Sequence, residues 1–120
     1  VRAWLETALA ADEPVGLADP VLAGFVRVTT HPRVFSRPAP IARAFAFVDA
    51  LLEAPLVNVV SPGDRHWAIF RRLCIEARAK GNLVADAYLA AIAIEHGGVW
   101  ITRDRDFSRF PSLRWRDPLD

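Results

Sequence analysis

Short β-branched or apolar runs alternate with longer stretches of helical periodicity along this chain, and Pro and Gly mark most of the boundaries between them. No other feature constrains the fold as much. Strands separated by helix-length segments predict βα units, and hence a parallel sheet covered by helices. The candidate strands are 15–18, 56–60, 99–102 and 113–116. Residues 2–11 read as an amphipathic helix, with Trp4, Leu5, Ala8 and Leu9 on one face, stopped by Glu13-Pro14. Asp19-Pro20 predicts a helix start with Asp19 as N-cap, and the helix is expected to run to His31-Pro32. A third helix follows Pro40 and ends near Pro55. Ser61-Pro62-Gly63-Asp64 is expected to cap a helix closed by Gly81 as its C′ residue. Asn82 starts a further helix, closed by Gly97-Gly98, and 104–110 reads as a loop or short helix. The first helix has no strand before it, so a missing leading strand is compatible with the pattern.

The chain has 120 residues, which predicts one domain over 1–120, and 52% apolar content is enough for one core. No apolar run reaches the length of a membrane span, and nothing at the start resembles a signal peptide. The single cysteine, Cys74, can form no internal disulfide and reads as a small buried apolar residue. A reducing, cytoplasmic location is therefore expected, with no membrane partner. Net charge is +1, which by itself decides nothing about nucleic acid, but Lys80 is the one lysine among 15 bases. The arginine fork suits phosphate and carboxylate, although a GC-rich genome gives the same bias.

Ligands of open parallel sheets bind at the carboxyl ends of the strands. Asp19 follows the first strand; Thr102, Asp104 and Asp106 follow the third; Asp86 lies in the first turns of the helix before that third strand. Asp19, Asp86, Asp104 and Asp106 can thus gather at one end of the sheet. Unit charges about 4 Å apart repel by roughly 4 kcal/mol at a typical effective dielectric, so gathered carboxylates call for a cation or for raised pKa values. All-oxygen ligands favour Mg²⁺ or Mn²⁺ over zinc, and metals held this way suit attack of water on a phosphodiester. Plainer roles stay open: Asp19 as a cap, Asp86 as a partner of the helix dipole, Asp104 and Asp106 as turn residues. Asp86, among Val84, Ala85, Ala87, Leu89, Ala90 and Ala91, is the acid most in need of a functional reason. His31, His66 and His96 share no ligand spacing and read as surface or capping residues. The tryptophans read as core or subunit-contact residues rather than base-stacking platforms. Arg103, Arg105, Arg109, Arg114 and Arg116 crowd the end of the chain, either as solvated surface or as a phosphate-tracking rim. No serine nucleophile motif and no Gly-rich phosphate loop is present.

The segment from Asn82 to Ala91, followed by Trp100-Ile101-Thr102-Arg103-Asp104-Arg105-Asp106-Phe107, resembles the C-terminal half of PIN-domain ribonucleases. The stretch from Asp19 to Phe35 resembles the second-helix segment of VapC-type toxins, the toxin halves of type II toxin–antitoxin pairs. The resemblance covers nearly the whole chain. It implies a three-layer α/β/α sandwich with a parallel sheet of order 3-2-1-4-5, and RNA cleavage dependent on Mg²⁺ or Mn²⁺. It also implies a cognate antitoxin that wraps the toxin, and a homodimer. Asp86 and Asp104 take the metal-binding positions, Asp106 an auxiliary one, Asp19 that of a further acid, and Thr102 a supporting one; Arg103, Arg105 and Arg109 would contact RNA. Many relatives carry a Glu where this chain has Leu22. The family also opens with an apolar strand bearing an Asp, at the centre of the sheet, and that strand is absent here. The expectation is therefore an N-terminally truncated PIN-like domain that is poorly folded, or inactive, as an isolated polypeptide. Two alternatives stand beside the nuclease: a catalytically inactive module that binds RNA or an antitoxin, and another Mg²⁺-dependent phosphohydrolase.

Overall fold

The computed structural model describes residues 13–119. The expected first helix, with Trp4, lies outside the described residues. The chain forms two compact units that meet in sequence between Val60 and Ser61.

In the N-terminal unit, β1 (Val15–Ala18) leads directly into α1 (Asp19–Thr29). Helix α2 (Ile41–Leu52) follows, then β2 (Val57–Val60). The two strands pair in parallel, with Val15 opposite Val57 and Ala18 opposite Val60. Gly16 suits this pairing, because a Cβ there would lie 3.1 Å from Val60 Cγ1. Asp19 is not the N-cap. Ala18, still extended at φ −67° and ψ 130°, holds that position, so Asp19 falls in the first helical turn with Pro20. Its carboxylate there favours the helix dipole without capping a backbone N–H. The helix stops at Thr29, two residues short of His31. Thr30 takes the C-cap, and the hydroxyls of Thr29 and Thr30 donate back to the carbonyls of Phe25 and Val26 at 2.9 and 2.8 Å. Phe25 stacks on Phe47 of α2, with ring centroids 5.2 Å apart, and α2 buries Ala44 and Val48.

The C-terminal unit begins with an antiparallel helix pair, α3 (His66–Ala77) and α4 (Asn82–Glu95). Strand β3 (Trp100–Ile101), a 3₁₀ turn (Arg105–Arg109) and β4 (Trp115–Arg116) follow. The last two strands pair in parallel, Trp100 with Trp115 and Ile101 with Arg116. The two observed pairings are those that the order 3-2-1-4-5 gives its second with third and its fourth with fifth strands. The helix faces account for the core. Ala87, Ala90, Ala91 and Ile92 of α4 are fully buried, and their small side chains let Leu73 of α3 and then Phe107, Phe110 and Leu113 pack close.

Three local expectations fail here. Ser61–Asp64 does not cap α3; Arg65 is the N-cap residue and offers no side-chain bond. The carboxylate of Glu95 takes over, accepting from the N–H groups of Gly63 at 2.7 Å and Arg65 at 2.9 Å. Gly81 does not close α3 either. Arg78 does, in the left-handed region at φ 50°, with Ala79 N–H donating to Cys74 O at 2.9 Å, while Gly81 is the N-cap of α4. That pattern is a Schellman closure built on a residue with a Cβ. The expected one forms at Gly97, φ 68°, where Gly98 N–H donates to Ala93 O.

The third failure is His66, which is 3% exposed rather than on the surface. Its Nε2–H donates to the Tyr88 carbonyl at 2.9 Å, and its ring lies against those of Tyr88 and Phe70. The other histidines meet expectation: His31 Nδ1 accepts from Arg33 N–H, and His96 is the C-cap of α4. Trp100 and Trp115 pack against the core, whereas Trp67 is 67% exposed. Cys74 is half-buried, and burial pushes its thiol up, as suits an inert packing residue. Among the described residues, no helix is long and apolar enough to cross a membrane.

Candidate metal centre

Asp86 sits one turn into α4, on a helix whose buried face is fixed by Ala87, Ala90 and Ala91. Asp104 and Asp106 belong to the 3₁₀ turn after β3. The turn is held by what surrounds it. Thr102 Oγ1 accepts from the Asp104 N–H at 3.0 Å, and Asp104 Oδ1 accepts from the Asp106 N–H at 2.9 Å. Phe107, the next residue, is buried at 4% exposure against α4. An anchored aromatic directly after two acids brings both carboxylates to the helix that carries the third.

Each of the three side chains offers one carboxylate oxygen, and these oxygens all lie within 4.8 Å of one another. Asp86 is half-buried; Asp104 and Asp106 are exposed. Burial pushes the Asp86 carboxyl above the usual aspartate range, and the charges of Asp104 and Asp106 push it the same way. A divalent cation fits this set. Ligands on opposite sides of one Mg²⁺ ion stand about 4 Å apart, given bonds of about 2.1 Å, so small side-chain rotations close the shell. The donor set is all oxygen, and two of the three acids face water, leaving room for further ligands.

Of the four acids singled out in sequence, the structure brings three together. Asp19, exposed in the first turn of α1, belongs to the N-terminal unit. Thr102 sits where a supporting residue would, bonded to the backbone of Asp104. The three arginines proposed for RNA are all exposed. Arg103 Nε lies 4.0 Å from Asp117 Oδ1, and the Arg105 guanidinium stands 5.8 Å over the Trp115 ring. Arg114 donates to Gly97 O at 2.8 Å and so closes the end of α4.

Sequence reading missed Glu95. The N–H of Gly63 foremost, and that of Arg65, hold its carboxyl below the usual glutamate range, and so fix the loop entering α3. A signal was present: an acid in the last turn of a helix opposes the dipole and needs a partner elsewhere.

Parallel strands joined by helices, with an acidic triad on a helix and a following turn, make an α/β domain that carries an all-oxygen candidate metal centre. The comparisons agree: the PIN domain family model matches residues 1–113, and the chain belongs to that family. It is 51% identical over 119 residues to ribonuclease VapC43 of Mycobacterium tuberculosis, covering 99% of this chain and 81% of that one. To ribonuclease VapC25 of the same organism it is 48% identical over 114 residues, covering 95% and 80%. Among solved structures, VapBC-1 from nontypeable Haemophilus influenzae superposes with a TM-score of 0.72 at 18% identity, covering 98% of this chain and 87% of that one. That last likeness is one of fold.

Proposed function

We propose that this chain is a divalent-metal-dependent endoribonuclease, the toxin of a toxin–antitoxin pair, organised as one PIN-like domain over 1–120. The observation that carries the reading is the meeting of Asp86, Asp104 and Asp106 within 4.8 Å, in a member of the PIN domain family. Asp86 and Asp104 would hold Mg²⁺ or Mn²⁺, with Asp106 as the auxiliary acid. A bound cation neutralises the carboxylates and stabilises charge developing on the phosphate oxygens during attack by water. Thr102 keeps the turn in register, so that Asp104 stays turned towards Asp86. Arg103, Arg105 and Arg109 bind the phosphates that flank the scissile bond. Asp19 keeps a catalytic role on the resemblance alone. The partners are RNA, a cognate antitoxin of the kind that the name VapBC-1 pairs with a toxin, and a second copy of the chain, in the cytoplasm.

The test is RNA cleavage by the purified protein with Mg²⁺ or Mn²⁺, beside the Asp86→Asn and Asp19→Asn variants. Cleavage is expected to need the metal, to vanish in Asp86→Asn and to fall in Asp19→Asn. Full activity in Asp86→Asn overturns the assignment of that acid. Hydrolysis of small phosphate esters without RNA cleavage points to a different phosphohydrolase.

A further inference from the structure

The outward face of α3 sets large apolar side chains among arginines. Trp67, Arg71 and Ile75 recur at four-residue spacing and so line one face over about 12 Å of helix. Trp67 is 67% exposed and Ile75 62%. The Trp67 ring is not loose: Phe70 meets it in a T-shaped contact, with centroids 5.4 Å apart. Arg71, Arg72 and Arg78 are exposed on or beside the same face. From residue 64 to residue 80 there are five cations and two carboxylates, in a chain whose net charge is only +1. One of those carboxylates, Glu76, already faces Arg72 at 3.8 Å. An excess of positive charge thus runs along the helix that carries an exposed, propped indole.

We propose that this face binds single-stranded RNA beside the metal centre: an unpaired base stacks on Trp67 while Arg71 and Arg78 take the neighbouring phosphates. The proposal rests on the ribonuclease reading for its choice of nucleic acid. Every base presents a π-face, and an indole bordered by arginines offers stacking and phosphate contacts together. Charge decides against a second copy of the chain as the occupant. Two-fold docking sets the same patch against itself, which here would press Arg71 and Arg78 against their own counterparts. His66, in the first turn of α3, donates to the Tyr88 carbonyl, two residues from Asp86, so the Trp67 end of α3 lies against the stretch of α4 that carries that acid.

The experiment measures binding of a labelled single-stranded RNA by fluorescence anisotropy, in EDTA and in the Asp86→Asn background, so that neither metal nor cleavage enters. Trp67→Ala is expected to weaken binding about five- to a hundredfold, and Trp67→Phe to recover most of it. Arg71→Gln is expected to lower the slope of log affinity against log salt by about 1. Unchanged affinity in Trp67→Ala together with an unchanged salt slope in Arg71→Gln overturns the proposal. So does a Trp67→Ala effect confined to molecular mass in solution or to capture of an acidic peptide, which would make the face a protein interface. A binding result in this background stands apart from the cleavage assay, so failure of this surface and failure of the nuclease reading are separately visible.

Discussion

Asp86 is the residue at which stability and the proposed chemistry oppose one another. Its carboxyl is pushed up by burial and by two facing acids, so in the metal-free protein its ionisation favours unfolding. The sign is fixed by linkage. A folded-state pKa above the unfolded one gives stability that is present below the ordinary aspartate range and lost as pH rises through the raised value. Metal-free Asp86→Asn is therefore expected to be more stable than wild type at pH 7, with the gap narrowing as pH falls towards 4. Denaturant midpoints in EDTA at the two pH values check this, and a less stable variant at pH 7 contradicts it. Arg78 is the other strained residue. Its left-handed backbone, φ 50°, closes α3 where glycine would sit without strain. Arg78→Gly is expected to stabilise the protein by about 1 kcal/mol, read as a higher urea midpoint with an unchanged slope.

At the scale of elements, the acidic turn owes its position to an aromatic anchor. Phe107 and Phe110 fill the space left by the alanines of α4, and their rings meet at 6.2 Å. Phe107→Ala is expected to cost about 3–5 kcal/mol. The gentler Phe107→Leu keeps the fold but frees the turn, so it should weaken Mg²⁺ or Mn²⁺ binding in calorimetry while far-UV dichroism stays unchanged. Undiminished metal affinity in Phe107→Leu would show that the anchor does not set the site. Helix ends divided into those that local chemistry reveals and those that it does not. Gly97 was legible, because a glycine after an apolar helix marks a left-handed closure. The end of α3 was not, because Gly81 is the more obvious punctuation and nothing local announces that Arg78 will bear the strain. The start of α3 was illegible for a different reason. Its acceptor, Glu95, lies 32 residues beyond Gly63, outside the reach of any capping rule.

For the whole molecule, a cation held by the acidic triad would tie folding to its binding. Whatever binds the native state alone stabilises it by mass action. Mg²⁺ or Mn²⁺ at about a hundred times its dissociation constant is expected to add about 2.7 kcal/mol, seen as a rise in Tm that EDTA reverses and that Asp86→Asn loses. A wild-type Tm indifferent to either ion removes the metal from the reading.

The sequence by itself determined the alternation of strands and helices, the parallel pairing in each unit, and the identity of the acids worth watching. All of these follow from short-range sterics and periodicity. It also carried enough of the PIN motif for the family to be named. The meeting of Asp86 with Asp104 and Asp106, the burial of His66 under Tyr88 and the exposure of Trp67 were decided only in three dimensions. Periodicity says that a helix has an inner face, but which neighbour that face meets depends on how residues far apart in the chain fill one another's space. Here Phe107 and Phe110, packed on the small side chains of Ala87, Ala90 and Ala91, make that choice.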